Sequence, residues 1–320
     1  MTEYQTTLTT LTPIAITIGN FDGIHLGHQR LLHRVQAMAQ EIGCMPAMVT
    51  FQPHTLIVVR PQLDIYYLTT LNEKLALASR YGHIAESIVL QFTPEVAALS
   101  AEEFMDNLCT RFNVKGLVVG SDFSLGRNRM GNVEFLADYG KRHQIRVEAM
   151  SLEENQQMRI SSTRIRTLVS EGQIAEANAL LGHPVILGGI VAHGDERGRL
   201  LGFPTANLRP EPHKLLPANG VYAVRVTIHD GEPSDLDETS TVYKGVANIG
   251  IRPTFNGKER LVEVHLLDVD LLLYDKYLRV DIIDRLRGEQ RFPNIEALKT
   301  QIATDAEQAR QILAVRRVSN

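Results

Sequence analysis

Two histidines three residues apart, His25 and His28, close a glycine-rich run: Gly19-Asn20-Phe21-Asp22-Gly23-Ile24-His25-Leu26-Gly27-His28. The apolar stretch Ile14 to Ile18 leads into the run, and Leu31, Val35, Met38 and Ile42 follow at helical spacing. The pattern predicts a strand, a tight turn and a helix. Glycines in such a turn let backbone approach a ligand, and the helix start offers unpaired N–H groups and a positive dipole end. Histidines three apart on the first turn aim their donors the same way. These residues suit the binding of a triphosphate without a Walker lysine. His25, His28 and His33 do not make a zinc set, because no nearby cysteine or carboxylate completes it.

A second anion signal lies at Ile160-Ser161-Ser162-Thr163-Arg164-Ile165-Arg166. Hydroxyls there cap a helix start. Arg164 and Arg166 in its first turns oppose the helix dipole unless an anion binds. A third signal is Gly198-Arg199-Leu200-Leu201-Gly202-Phe203-Pro204-Thr205-Ala206-Asn207. Its glycines permit a loop whose N–H groups face phosphate. The neutral oxygens of Thr205 and Asn207, on a turn stiffened by Pro204, suit a Mg²⁺ ion that keeps most of its waters. No Gly-Lys-Ser/Thr follows, so this is not a Walker loop.

The elements that must position these residues change character along the chain. In the first half, apolar runs at 47–51, 87–91, 116–120 and 146–150 alternate with amphipathic segments at 72–81, 101–112 and 133–142. That rhythm predicts a parallel sheet with helices on both faces, whose ligands bind at the carboxyl ends of the strands. His25, His54 and Asp122 all follow strands and could converge there. Two short helices are expected at 163–170 and 173–181, ended by Gly172 and Gly182. From Val185 on, β-type runs at 185–191, 221–228, 241–249, 261–267 and 277–286 lack intervening helices, which predicts an antiparallel barrel or sandwich. The polar stretch 230–240 reads as a hairpin tip, and 295–315 as a terminal amphipathic helix. The rhythm breaks at Gly182-His183-Pro184, so domains of 1–183 and 184–320 are expected.

Composition narrows the class only a little. A chain of 320 residues suggests two domains. A net charge of −4 gives no electrostatic case for nucleic acid. No long uninterrupted apolar stretch suggests a membrane span. Cys44 and Cys109 are the only cysteines, and the N-terminus lacks the basic and apolar regions of a signal peptide. A reduced, cytoplasmic setting is expected.

The string from Gly19 to His28 resembles the H-x-G-H nucleotidyltransferase superfamily. In its full form it is similar to the adenylyltransferase module of the bacterial bifunctional riboflavin kinase/FAD synthetase family. Ile160 to Arg166 resembles that superfamily's I-S-S-T-x-x-R element, which closes over the β- and γ-phosphates. Thr50-Phe51-Gln52-Pro53-His54 resembles the family's F-x-P-H turn. Val119 to Arg127, with Asp122 and Phe123, resembles its V-G-x-D-F-x-F-G loop, Leu125 standing where the family has an aromatic. These two loops lie around the flavin and adenine pockets in the family. Gly198 to Asn207 resembles the G-R-x-L-G-F-P-T-A-N motif of riboflavin kinase, which makes Thr205 and Asn207 the Mg²⁺ ligands beside a kinase ATP loop of Gly198, Arg199, Gly202, Phe203 and Pro204. Gly245 to Phe255 and Glu263-Val264-His265 resemble later kinase motifs. Glu263 matches the catalytic base that takes the riboflavin 5′-hydroxyl proton, and His265 is expected to be structural. Asp275, where the family has glycine, implies a different turn.

The resemblance implies a Rossmann-like nucleotidyltransferase domain followed by a riboflavin kinase-like barrel. It implies Mg²⁺-dependent phosphorylation of riboflavin by ATP to FMN and ADP, then adenylylation of FMN by ATP to FAD and pyrophosphate. Oligomeric state is not legible.

Overall fold

The alternating first half folds as a six-stranded sheet flanked by helices. The computed structural model describes residues 4–9, 11–84, 86–151, 160–192, 202–233, 236, 240–254 and 257–315; at 252–254, 257–259 and 315 it describes the backbone alone. In chain order the elements of this half are β1 (Tyr4–Gln5), β2 (Pro13–Ile18), α1 (Leu26–Ile42), β3 (Met45–Gln52), α2 (Thr55–Val59), α3 (Leu71–Gly82), β4 (Glu86–Gln91), α4 (Pro94–Ala98), α5 (Ala101–Arg111), β5 (Asn113–Gly120), α6 (Val133–His143) and β6 (Arg146–Met150). The strand order is β1-β4-β3-β2-β5-β6. All neighbours are parallel except β1, which runs antiparallel along the β4 edge.

Ile14 to Ile18 are almost wholly buried, as a central strand covered on both faces requires. Strand order reverses between β2 and β5, so the crevice expected to take a ligand opens at the carboxyl end of β2, where Gly19 begins. Leu125 packs in the core of this sheet and bridges to Gly131.

The second half comprises α7 (Ser162–Glu171), α8 (Ile174–Leu181), β7 (Val185–Ala192), β8 (Ala206–Arg209), β9 (Gly220–His229), β10 (Tyr243–Thr254), β11 (Gly257–Leu266), β12 (Tyr277–Arg287) and α9 (Ile295–Val315). Its strands close into an antiparallel barrel in the order β10-β11-β8-β7-β12-β9. Alternate residues such as Leu208, Tyr222, Val224, Ala247, Ile249, Val262, Val264, Val280 and Ile282 are fully or nearly buried. This period-two burial is that of a small barrel filled by side chains. Helix α9 covers the outside through Ala306, Ala309 and Leu313 against Ala223, Leu267 and Ile283. Asp305, 2% exposed, pairs with Arg287 of β12 at 2.8 Å.

Contacts divide the chain at Ser161/Ser162, with Leu68–Thr70 grouped in the second unit. The break in rhythm at 182–184 is thus not where the contacts part. Helices α7 and α8 belong with the barrel: Asn178 donates to the Ile282 carbonyl at 2.9 Å and accepts from Val185 N at 2.8 Å. Ala218 N also donates to the Val169 carbonyl at 3.2 Å.

Among the described residues, the short elements β1, α2, α4 and β8 lie where periodicity predicts none. Asp275 stands where the resembling family has glycine. It adopts φ of 63°, a left-handed conformation that glycine takes freely.

Candidate active sites

The turn after β2 is held in an unusual backbone. Phe21, Gly23 and Ile24 have φ of 50°, 87° and 39°. A β-branched residue at positive φ is costly, and such strain persists only where the surroundings impose it. Here Phe21 and Ile24 are fully buried anchors, and Gln29 Nε2 donates to the Ile24 carbonyl at 2.8 Å. The turn delivers His25 to the N-cap of α1, where its Nδ1 accepts from His28 N at 3.2 Å. A ring that accepts at Nδ1 carries its proton at Nε2 when neutral, which makes Nε2–H a donor. The rings of His25 and His28 stack at 3.6 Å and 15°. A Cβ at Gly27 would come within 3.2 Å of the His25 ring, so the glycine between the histidines makes room for the stack.

His28 Nδ1 is buried without a hydrogen-bond partner among the described residues, although the residue as a whole is only half-buried. Burial, then His25 and Lys74, hold its pKa well below the usual histidine range, so at neutral pH the ring is uncharged. Lys74 of α3 is 4% exposed and donates to Thr50 Oγ1 at 3.2 Å. Burial lowers its pKa to about 8, against the opposing pull of Asp22.

Thr50 in turn donates to the Asn20 carbonyl at 3.2 Å. Asn20 ties this turn to the one after β3: its Nδ2 donates to Thr55 Oγ1 at 2.9 Å, and its Oδ1 accepts from Thr55 N at 3.2 Å. His54 caps α2 as His25 caps α1, accepting from Leu56 N at 3.2 Å; it follows the cis Gln52–Pro53 peptide. The structure therefore brings together Gly19, Asn20, Asp22, Gly23, His25, Gly27, His28, Pro53 and His54. Sequence reading missed Lys74, whose only signal was a lysine on the buried face of α3. Asp122 is exposed and Phe123 half-buried in the loop after β5, on the other side of β2 from β3. Ser161 closes the first unit, while Ser162, Thr163, Arg164 and Arg166 open α7 of the second.

In the barrel, Glu263 sits mid-strand on β11, opposite Asn207 of β8 and Asn248 of β10. Directly paired residues share a face, so the three form one row across three strands. Asn248 Nδ2 donates to Glu263 Oε2 at 3.2 Å. The row alternates with buried Val262 and Val264, which places it on the barrel's outer face. Asn207 also lines a cleft with Thr205, Pro204, Val191 and Leu266, closed on one side by residues 269–274. Among the expected ATP-loop residues, Gly202 has φ of 87°, and Phe203 and Pro204 lead into the cleft. Gly198 and Arg199 lie outside the described residues, as does Phe255. Asn248, like Lys74, was not singled out as a site residue; its signal was only its place in the Gly245–Phe255 run.

Thr205 and Asn207 offer neutral oxygens at one end of the cleft, with the carboxylates of Asp270 on its lining and Glu263 one strand away. Such an all-oxygen set fits Mg²⁺.

These two constellations agree with the comparisons to known proteins. A FAD synthetase family model matches residues 8–164, and a riboflavin kinase family model matches residues 181–313. The bifunctional riboflavin kinase/FMN adenylyltransferase of Escherichia coli (strain K12) is 37% identical over 301 residues, 94% of this chain and 93% of that one. Its counterpart from Pseudomonas fluorescens is 39% identical over 300 residues, 93% and 92% of the two chains. A crystal structure described as a macrolide-efflux protein from Streptococcus pneumoniae has a TM-score of 0.84 at 31% identity, over 95% of this chain and 96% of that one. The chain belongs to the bifunctional riboflavin kinase/FMN adenylyltransferase family, with the nucleotidyltransferase-type module first and the kinase-type module second.

Proposed function

We propose that each activity is carried by the constellation described for its module. The enzyme phosphorylates riboflavin with ATP to give FMN, then transfers an adenylyl group from a second ATP to FMN, giving FAD and pyrophosphate. We assign the first reaction to a domain of residues 184–320 and the second to a domain of residues 1–183, a division by motif: α7 packs with the barrel but carries the Ser162–Arg166 element of the adenylyltransferase.

For riboflavin phosphorylation, the observation that carries the reading is the Asn207–Glu263–Asn248 row beside the cleft. Glu263 takes the proton from the 5′-hydroxyl, which needs a base because an alcohol is a weak nucleophile at neutral pH. Asn248 holds one carboxylate oxygen, which fixes the direction in which the other accepts. Thr205 and Asn207 would hold Mg²⁺, which when bound neutralises charge on the ATP phosphates. The apolar wall of the cleft at Leu271, Leu272 and Leu273 suits a flat ring system.

For adenylyl transfer, the acceptor is already a phosphate anion, so no base is required. The protein positions two anionic groups and spreads the charge that develops on pyrophosphate. His25 donates through Nε2–H, the start of α1 adds its N–H groups, and Lys74 adds a buried positive charge. His28 is neutral until an anion arrives, and the anion's field then favours its protonation. The assignment of Ser161, Ser162, Thr163, Arg164 and Arg166 to the same triphosphate rests on their motif, as does that of Pro53, His54, Asp122 and Phe123 to the flavin or adenine. Leu125 packs in the core, which leaves Phe123 as the aromatic of its loop.

The efflux description of the Streptococcus pneumoniae structure belongs to that protein. A flavin-binding protein without turnover would need neither Glu263 nor its Asn248 partner. Assaying the two reactions separately in Glu263→Gln and His28→Ala tests the division of labour. Each substitution should remove one reaction and spare the other; loss of both together would contradict it.

The protein is expected to act as a soluble cytoplasmic enzyme. Among the described residues, no helix is long and apolar enough to cross a membrane.

A further inference from the structure

We infer that His265 is a positioning residue of the riboflavin kinase centre, clamping the Phe203–Pro204–Thr205 segment onto the strand that carries Glu263; this rests on the kinase reading above. The ladder between β8 and β11 consists of Leu208–Val262, Asn207–Glu263 and Ala206–Val264. One step further would pair Thr205 with His265, and there the ladder stops. Pro204 has no N–H, so its backbone could not continue the ladder as a donor. The His265 side chain takes over instead: its Nδ1 lies 2.8 Å from the Pro204 carbonyl oxygen. A carbonyl only accepts, so Nδ1 carries the proton and donates. The Phe203 ring meets the same imidazole edge-on, with centroids 5.6 Å apart and planes at 83°.

Thr205 is thereby gripped on both sides, by His265 through Pro204 and by Val264 through Ala206. On the far side of Phe203 the chain passes through Gly202 in a left-handed conformation, with nothing among the described residues within 4 Å of where its Cβ would be. The clamp thus holds the segment that carries Thr205. Its consequence is a fixed spacing between the oxygens of Thr205 and Asn207 and the carboxylate of Glu263. His265 lies two residues beyond Glu263 on the same face of β11, so base and clamp share one rigid strand.

The test uses the full-length enzyme and three variants. His265→Asn places an amide N–H at the same bond distance from the backbone as Nδ1, so it restores the donor without the ring. His265→Phe keeps a ring against Phe203 but has no donor, and His265→Ala has neither. Binding of Mg-ADP is measured by calorimetry without turnover, alongside riboflavin phosphorylation and FMN adenylylation. Loss of the clamp in the Ala and Phe variants should weaken Mg-ADP binding and raise the KM for Mg-ATP by about tenfold, the worth of one hydrogen bond. Asn should recover most of that loss, and FMN adenylylation should be unchanged in all three. Unaltered Mg-ADP affinity in the Ala variant would overturn the inference. So would equal impairment of the Asn and Phe variants, a comparison that decides the matter should the Ala variant not fold. A wild-type enzyme that leaves riboflavin unphosphorylated would instead refute the underlying kinase reading.

Discussion

Lys74 should weaken the fold that contains it. The residue is 4% exposed, and its one hydrogen-bond acceptor among the described residues is Thr50 Oγ1. Burial moves its pKa from 10.5 to about 8. At about 1.4 kcal/mol per pKa unit, keeping the group charged at pH 7 costs roughly 3 kcal/mol. Lys74→Met removes the charge, fills nearly the same volume, and forfeits a hydrogen bond worth about 1 kcal/mol. The net gain is then about 2 kcal/mol, a rise of roughly 4–8 °C in the melting temperature of a unit this size.

The sign of the pH dependence follows from the depressed pKa. Between about 8 and 10.5 the unfolded chain holds a proton that the folded chain has released, so stability rises with pH across that window. Below about 8 the full cost is present. The advantage of the Met variant should therefore be largest at pH 7 and shrink as pH rises past 8. His28 titrates well below neutrality and adds no slope there. Thermal melts of the wild type and variant, followed by circular dichroism from pH 7 to pH 9.5, measure the difference directly. FAD formation from FMN should fall in the variant while riboflavin phosphorylation continues, since a destabilising group kept at a site serves the site. A variant no more stable than the wild type at pH 7, or a gain that does not change with pH, would refute the reasoning.

Replacing His28 or Arg166 by Ala should abolish FAD formation from FMN and leave FMN formation intact, each costing on the order of 2–4 kcal/mol of transition-state stabilisation; separate assays of the two reactions check this. Glu263→Gln keeps the size of the side chain but removes the base, so riboflavin turnover should drop by roughly 10²–10⁴ with Mg-ADP binding little changed. Near-normal turnover would return Glu263 to an ordinary exposed strand residue. Because α7 and α8 pack on the barrel, a fragment of residues 162–320 should melt higher than one of residues 184–320, and equal melting would show that Asn178 and its neighbours add nothing.

Much of this was legible in the sequence because strong local signals agreed. The run of apolar residues before Gly19 and the 3–4 spacing after His28 fix β2 and α1, and Gly43 ends α1 in the left-handed conformation. The terminal helix at 295–315 follows from its periodicity alone. What stayed hidden depends on contacts between distant residues. The docking of α7 and α8 on the barrel includes Asn178, a polar side chain that reaches two carbonyls of β12. Asn248 matters because it lies across a ladder from Glu263, fifteen residues away in sequence. Lys74 reads as one of many lysines on amphipathic helices until the fold buries it. β8 is a strand only because β7 and β11 pair with it on either side. His265 is a strand histidine until Pro204 is seen to end that ladder.

The most direct measurement is to incubate the protein with riboflavin, ATP and Mg²⁺ and to separate the flavins by chromatography over time. FMN should appear first, with ADP, and FAD should follow with pyrophosphate; FMN supplied in place of riboflavin should give FAD without a lag. Riboflavin that is bound yet never converted, or FMN that accumulates without FAD, would contradict a two-reaction enzyme built from these two sites.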